Sequence, residues 1–275
     1  MKLNQLFLFL VAASFTNLAL AGGGSYDDSN TPAATPSTAS TASTAVSTAQ
    51  QNIKLSDNFK GFYITAKGGI SKSRDAGVTS YSNLNGNPQI SLNEDLGAGS
   101  AFGFSVGKYL TDSFRLELEA TKRTDYEFDV LYSTGNNEDK ANIKTEALFI
   151  NGFYDFQPFT IRNTPITPYL GGGVGLSRNK MGTTRESNNG GVANGFASPG
   201  NSINQFAYKL SAGALFSLTE KLSLDVNYQY VNLGEFKGSV DVFRDGVRTG
   251  SDSKKATNGG EIKTQELMVG LQYKF

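Results

Sequence analysis

The sequence predicts an all-β protein, an eight-stranded antiparallel transmembrane β-barrel with four long loops at one end and short turns at the other. Three observations predict it. Apolar residues alternate with small or polar residues at a period of two in eight segments of the chain. Tight turns and long polar stretches alternate between these segments, and the last segment ends on an aromatic residue, Phe275. After residue 21 no run of about 18 apolar residues is present, so no transmembrane helix is expected.

The amino-terminal segment has the pattern of a cleaved export signal. Lys2 precedes a short apolar run at 6–11, and an A-x-A site ends at Ala21. The alternative, a membrane anchor, needs a longer apolar run and flanking charges. We therefore expect a signal peptide over 1–21 that is cleaved between Ala21 and Gly22.

A polar spacer follows the signal. Residues 22–58 are rich in Ser, Thr, Ala and Pro, and they repeat the triplet Ser-Thr-Ala four times between 37 and 49. Such a segment buries too little apolar surface to offset its conformational entropy. We expect a disordered periplasmic tether at 22–58 and a barrel domain at 59–275.

All of the eight segments except the fourth place apolar side chains on one face and small, polar or charged side chains on the other. In the third segment, Leu116 and Leu118 alternate with Arg115, Glu117 and Glu119. Because neighbouring residues of a strand point to opposite faces, each of these seven segments has one apolar row. The apolar rows lie in 62–70, 102–106, 114–120, 148–156, 170–176, 208–216, 222–230 and 267–275.

The fourth segment does not reveal which face is the apolar one. Its row of Leu148, Ile150 and Tyr154 competes with a second row that contains Phe149 and Phe153. Both rows are apolar, so alternation leaves the facing of this strand open.

A soluble β-sandwich would also alternate, so the period alone does not indicate a membrane. The connections favour the barrel: tight turns at 111–113 and 219–221 share one end, which is typical of outer-membrane barrels. The two faces of the segments favour the barrel as well. One face carries Gly, Ser and charged residues, and the other carries an apolar row with aromatic residues near its ends. The long polar stretches at the other end are 72–97, 124–144, 178–204 and 234–261.

Two strand pairs are expected to extend past the lipid. Tyr126 and Phe128 keep the period of two beyond Arg123, and Val240 and Val242 do so in the last loop. A bilayer needs only about 9–11 residues per strand. The third and fourth strands and the seventh and eighth strands should therefore continue as β-ribbons above the membrane.

Three motifs resemble strands of the small opacity-type, porin-like outer-membrane proteins, a family that includes adhesins of Gram-negative pathogens. The run 168–175, PYLGGGVG, resembles the fifth strand of that family. The runs 206–213 and 222–230 are similar to its sixth and seventh strands. The resemblance covers about 59–275 and implies an eight-stranded barrel in the cell outer membrane, with periplasmic termini, periplasmic turns and four surface loops.

Charged residues on the predicted inner rows form the one constellation that could carry chemistry. The sharper interpretation is a catalytic or gating carboxylate–arginine pair. The simpler interpretation, which we prefer, is a network that pairs charges inside a narrow lumen, because unpaired buried charge is very costly. The predicted network consists of Lys67, Arg115, Glu117, Glu119, Arg123, Lys209 and Asp225.

The composition excludes several classes of chemistry. The chain has no His and no Cys, so it lacks imidazole bases, thiol nucleophiles and Cys-type zinc sites. Lys and Arg number 25 and Asp and Glu also number 25, which gives no reason to expect a nucleic-acid partner. The run 103–108 resembles a phosphate-binding loop, but Phe102 and Tyr109 replace the required Gly and Ser or Thr. We expect no enzyme activity, no cofactor and no metal.

Two functions are compatible with this pattern. Long loops favour a surface protein that binds a host-cell, matrix or environmental partner, because binding residues concentrate in loops. The alternative is a small porin, or a structural barrel with little or no conductance, since eight strands enclose a lumen that side chains fill. The other expected partners are outer-membrane lipid and the barrel-assembly machinery.

The resemblance implies that the end of the chain is read during assembly. Its apolar row should act as the terminal-strand signal, so deletion of Phe275 should sharply reduce insertion into the outer membrane. Heat-modifiable mobility of membrane fractions measures this, and unchanged insertion of the truncated protein would contradict it. The residues of this predicted signal are Leu267, Val269, Leu271, Tyr273 and Phe275.

Overall fold

The computed structural model describes residues 60–77, 79–81, 88–90, 95–131, 137–188, 193–239, 241–251 and 258–275. Every regular element within these ranges is a β-strand. No helix in this part of the chain has the length and apolarity to cross a membrane. The predicted signal peptide at 1–21, its cleavage site between Ala21 and Gly22, and the predicted tether at 22–58 lie outside the described residues.

Eight long strands form a closed antiparallel barrel. Each strand hydrogen-bonds to the next in chain order, and β1 pairs with β8 from Tyr63 opposite Lys274 to Ser73 opposite Thr264. This closure leaves the barrel wall without a free edge, and the predicted fold class is confirmed. The strands are β1 (Phe62–Ser73), β2 (Ala98–Tyr109), β3 (Phe114–Leu131), β4 (Asn137–Asp155), β5 (Thr164–Met181), β6 (Asn201–Ser217), β7 (Leu222–Lys237) and β8 (Asn258–Lys274).

The structure resolves the facing of β4. Phe149 is fully buried in the lumen, whereas Ile150 is 62% exposed on the outer surface. The bulky inner row fits because the neighbouring strand β5 presents glycines to the lumen. A Cβ atom on Gly171 would lie 2.2 Å from Cδ1 of Phe153. The glycines of β5 therefore make room for the aromatic side chains of β4.

Tight turns join the strands at the periplasmic end. In the β2–β3 turn the hydroxyl of Thr111 accepts a hydrogen bond of 3.0 Å from the backbone N–H of Phe114. Thr219 accepts the same bond from Leu222 in the β6–β7 turn. The β4–β5 connection contains the short strand Phe159–Ile161, which pairs with the start of β5. Each connection at this end is therefore held by local hydrogen bonds.

The strands run far beyond the membrane at the extracellular end. β3 and β4 stay paired as far as Leu131 opposite Glu138, with a bulge between Arg123 and Tyr126. The stretch 124–144, which the sequence analysis assigned to a polar loop, is therefore mostly strand, as the alternation beyond Arg123 indicates. In the last loop, Val240 lies outside the described residues.

A small hairpin adds to the first extracellular connection. Its strands, Thr79–Tyr81 and Pro88–Ile90, pair with each other. The first of them also pairs with the start of β8, where Asn258 lies opposite Ser80. The β1–β2 connection therefore joins the barrel wall through backbone hydrogen bonds.

Inward glycines should tolerate substitution less well than outward ones. A Cβ atom on Gly107 would lie 2.1 Å from Cζ of Tyr63 inside the lumen, whereas a Cβ atom on Gly152 would lie 3.8 Å from Cδ2 of Leu116 on the outer face. We expect Gly107→Val to lower the free energy of unfolding by about 1–3 kcal/mol, because overpacking strains the lumen. Urea unfolding in lipid vesicles measures this, with Gly152→Val as the control. Equal losses in the two variants would contradict the assigned facing.

Candidate functional site

A carboxylate held between two lysines lies at the middle of the lumen. Glu119 on β3 forms an ion pair with Lys67 on β1, at 2.7 Å between Oε1 and Nζ, and its Oε2 contacts the ammonium of Lys209 on β6. Asn151 donates hydrogen bonds of 2.8 Å to Glu119 and 3.2 Å to Glu117. All five side chains are buried. Their mutual pairing offsets the cost of removing these charges from water.

A second ion pair lies nearer the extracellular end. Nε and Nη2 of Arg123 bind the two carboxylate oxygens of Glu266 at 2.5 Å and 3.0 Å. The hydroxyl groups of Ser71 and Thr264 donate to Oε1 of Glu266 at 2.6 Å and 2.8 Å. Gln229 donates to Oε2 at 2.5 Å. This bidentate, fully buried arrangement fixes the guanidinium in one orientation.

An arginine packed among aromatic rings closes the periplasmic end. Nε of Arg115 lies 3.0 Å from Oδ1 of Asp155. The guanidinium carbon of Arg115 lies 4.2 Å from the ring centroid of Phe153 and 4.6 Å from that of Tyr169. The hydroxyl group of Tyr169 donates a hydrogen bond of 2.6 Å to Asp225. Cation–π contacts and hydrogen bonds together fill this end of the lumen.

An apolar cluster closes the other end. Residues from the first extracellular connection contribute to it, because Glu127 N–H donates to the Leu96 carbonyl at 3.1 Å and Glu261 N–H donates to the Ala76 carbonyl at 2.8 Å. The rings of Phe128 and the opposing phenylalanine of β7 meet edge to face, with centroids 6.2 Å apart. The charged layer is thus covered on its extracellular side. The cluster comprises Ala76, Leu96, Tyr126, Phe128, Ala141, Ile143, Ala147, Phe149, Met181, Ala207, Val231, Leu233, Phe236 and Ile262.

The structure also identifies lumen residues that the sequence analysis missed. Asp155, the partner of Arg115, continues the row whose facing was ambiguous. Glu266, the partner of Arg123, lies on the inner row of β8, and alternation with Leu267 could have found it. The residues proposed for the lumen network all lie buried inside the barrel: Lys67, Arg115, Glu117, Glu119, Arg123, Lys209 and Asp225. The residues proposed for the assembly signal all lie exposed on its outer surface: Leu267, Val269, Leu271, Tyr273 and Phe275.

The lumen has the properties of a packed core. Glu119, Asp155 and Glu266 each pair with a buried cation, and Glu117 and Asp225 accept hydrogen bonds from amide or hydroxyl groups. Among the residues that the structure describes, no group of three Asp or Glu side chains could hold a metal ion.

Four short strands extend the β3–β4 ribbon into an extracellular sheet. Two come from the β5–β6 connection and two from the β7–β8 connection. From β4 outward, the order is Thr184–Asn188, Ala193–Ser198, Asp241–Arg244 and Val247–Ser251. We call these four strands the loop sheet. It joins two connections that are distant in sequence.

Hydrogen bonds tie the two connections together. Ala197 pairs with Phe243 across the boundary between them. The hydroxyl of Ser198 contacts the carbonyl oxygens of Ser239 and Asp241 at 3.1 Å and 2.9 Å. The Asp245 N–H donates to the Gly195 carbonyl at 2.9 Å. The pairing of the first strand with β4 attaches the loop sheet to the barrel wall, and these hydrogen bonds hold its two connections together.

The outermost hairpin of the loop sheet presents an exposed tip. Asp245 and Gly246 both adopt positive φ, at 51° and 81°, as a tight two-residue hairpin turn requires. Val247 is 68% exposed, and Arg248 forms an ion pair with Asp241 at 2.6 Å. The tip therefore presents an exposed apolar side chain beside an ion pair.

Comparison with known proteins assigns this architecture to a family. A closed eight-stranded wall with an apolar outer face, short periplasmic turns and extended surface loops defines an outer-membrane β-barrel. Residues 38–275 match the family described as outer membrane protein beta-barrel domain. The chain belongs to this family, and it is a protein of the outer membrane.

Individual relatives span most of the chain. Outer membrane protein PagN of Salmonella typhimurium is 27% identical over 230 residues, which are 78% of this chain and 90% of PagN. A candidate adhesin of Rickettsia conorii is 24% identical over 171 residues, 61% of this chain and 64% of that protein. The crystal structure of the outer membrane protein OprG from Pseudomonas aeruginosa is similar with a TM-score of 0.51 and 19% identity, covering 78% of this chain and 96% of that chain. The likeness to OprG shows the fold.

Removal of Arg115 should destabilise the barrel strongly. Arg115→Ala leaves the buried carboxylate of Asp155 without its cation, and we expect a loss of about 3–5 kcal/mol in the free energy of unfolding. Urea unfolding in lipid vesicles measures the loss. Arg74→Ala removes an exposed arginine just after β1 and is the control. Similar, small losses in both variants would contradict the role assigned to the lumen pair.

Proposed function

We propose that this protein is a surface adhesin whose extracellular loops bind a host-cell, matrix or environmental partner. The observation that carries the proposal is the loop sheet, because it joins two connections into one ordered surface above the membrane. A surface that is ordered before binding loses less conformational entropy when the partner arrives. The name of one relative, the candidate adhesin of Rickettsia conorii, supports the same class of function.

The structure of the lumen weakens the alternative, a small porin. Charge pairs occupy its middle, Arg115 and its aromatic neighbours fill the periplasmic end, and the apolar cluster covers the extracellular end. An interior of eight strands is just wide enough for side chains to fill. The same packing favours a barrel without catalytic activity, since its carboxylates are engaged in structural contacts.

Export and assembly complete the proposal. The chain would pass the inner membrane through a signal peptide over 1–21, cleaved between Ala21 and Gly22, with 22–58 as a periplasmic tether. The apolar row of β8 that ends at Phe275 would engage the barrel-assembly machinery, and the outer rows would contact outer-membrane lipid. The exposure of that row on the outer surface supports both contacts.

Replacement of the loop-sheet strands tests the binding function. The strands of the loop sheet lie within 184–198 and 241–251. These two segments fall inside the predicted loops 178–204 and 234–261. We expect replacement of either segment by a short Gly-Ser linker to reduce binding of whole bacteria to cultured cells or matrix by about tenfold or more, because loss of a binding hot spot has this effect. Deletion of 22–58 is the control and should leave binding unchanged.

A second measurement separates the adhesin from the porin. Heat-modifiable mobility shows that each replaced protein still folds, and planar-bilayer recording of the intact protein should show negligible conductance. Large, stable conductance, together with binding that is unchanged in both replacement variants, would refute the adhesin function and support the porin function.

A further inference from the structure

Basic side chains gather on the outward face of β3, β4 and β5. Lys122 lies on β3, Lys144 on β4, and Arg178 and Lys180 on β5. Lys122, Lys144 and Arg178 are exposed, and Lys180 is partly exposed. We call these four residues the boundary patch. They point away from the lumen, on the face that carries the apolar rows.

The boundary patch lies directly above the apolar rows. Lys122 is the next outward residue after Ala120, and Arg178 is the next after Leu176. Two residues of a strand span about 7 Å, so Lys122 and Arg178 lie one such step beyond the apolar rows. Lys144 and Lys180, which lie opposite each other, are one step further out. That depth corresponds to the headgroup layer of the outer leaflet.

Few carboxylates neutralise the boundary patch. In the strand register, Glu146 lies opposite both Lys122 and Arg178, but its carboxylate pairs with Lys180 at 2.9 Å. Arg178 instead donates to the hydroxyl of Ser202. Within the described part of the chain, Lys122 and Lys144 form no ion pair.

The register also brings like charges together. Lys144 on β4 lies directly opposite Lys180 on β5, and like charges in directly opposed positions destabilise a strand pair. The nearby carboxylate of Asp125, in the bulge of β3, accepts a hydrogen bond from the hydroxyl of Thr124. That hydrogen bond leaves the charge of Asp125 in place, but the four basic side chains still outnumber Glu146 and Asp125, and an external anion could neutralise the remainder.

The opposite wall of the barrel differs. Lys237 on β7 lies 2.7 Å from Glu235, and Lys263 on β8 lies 2.6 Å from Glu261. These outward lysines have carboxylate partners on their own strands. The lysines of the two walls therefore differ in their pairing, and the two paired lysines offer a matched control.

We propose that the boundary patch binds phosphate groups of lipid in the outer leaflet of the outer membrane. The outward direction of the four side chains and their depth select a membrane headgroup over a partner of the loop sheet. Among the described residues, Lys144 and Arg178 have no carboxylate partner, and the ammonium of Lys180 lies on the strand opposite Lys144. These groups supply the positive charge that a lipid phosphate requires. Each basic side chain near an anionic membrane surface strengthens binding several-fold.

Lipid A is the probe for this site. The folded protein, purified in nonionic detergent, is titrated with lipid A and analysed by native mass spectrometry. We expect the double variant Lys144→Gln/Lys180→Gln to raise the dissociation constant of lipid A by about thirtyfold. The double variant Lys237→Gln/Lys263→Gln removes the same net charge from the opposite wall and should leave the constant nearly unchanged.

Two further ligands distinguish the chemistry. Dephosphorylated lipid A should bind the parent protein as weakly as lipid A binds the boundary-patch variant. Equal binding of the phosphorylated and dephosphorylated forms, or equal losses in the two double variants, would overturn the proposal. Inorganic phosphate that binds as tightly as lipid A would reassign the patch to a free anion. Heat-modifiable mobility confirms that each variant is folded.

Discussion

The pairing of β1 with β8 is the constraint on which the rest of the structure depends. In hydrocarbon every backbone N–H and C=O must find a partner within the protein, so a sheet that crosses the membrane must close. Closure with eight strands sets a narrow lumen, and a narrow lumen must be filled. The residues that fill it include charges, which persist only as pairs such as Arg123 with Glu266. With the interior occupied in this way, recognition is left to the extracellular end.

Lysine has three different roles at three positions on the barrel wall. Inside the lumen, Lys67 is buried against Glu119. At the periplasmic rim, Lys108 covers the ring of Phe62 at 4.8 Å, where an amphipathic side chain can bury its stem and keep its charge near water. Lys144, at the extracellular boundary, has no such partner within the described residues. Position along the barrel axis, rather than residue type, therefore determines what a lysine does here.

Alternation predicted most of the barrel because lipid enforces it on one face of every strand. It did not predict the facing of β4, since Phe149 and Phe153 are as apolar as the outer row and only the glycines of β5 reveal that they fit inside. It also left the partners of Arg115 and Arg123 unidentified. Glu266 lies 143 residues from Arg123 in the chain, and only the closed register brings the two together.

The loop sheet could not be predicted from the sequence, for a related reason. Its strands are short and polar, so neither hydropathy nor length distinguishes them from irregular loops. They become strands because the register of the barrel brings two connections side by side, where backbone groups can pair. The predicted loop boundaries were accordingly too wide, since β5, β6, β7 and β8 all continue into the stretches assigned to loops.

The pairing of Ala197 with Phe243 also determines which kind of epitope antibodies would recognise on this protein. A surface assembled from two separate stretches of chain forms discontinuous epitopes, in which an antibody contacts side chains from both stretches at once. A linear peptide copied from either stretch would lack the neighbouring strand that holds its shape. Antibodies raised against such peptides would therefore recognise the folded surface poorly, whereas the refolded barrel would present the native epitope intact.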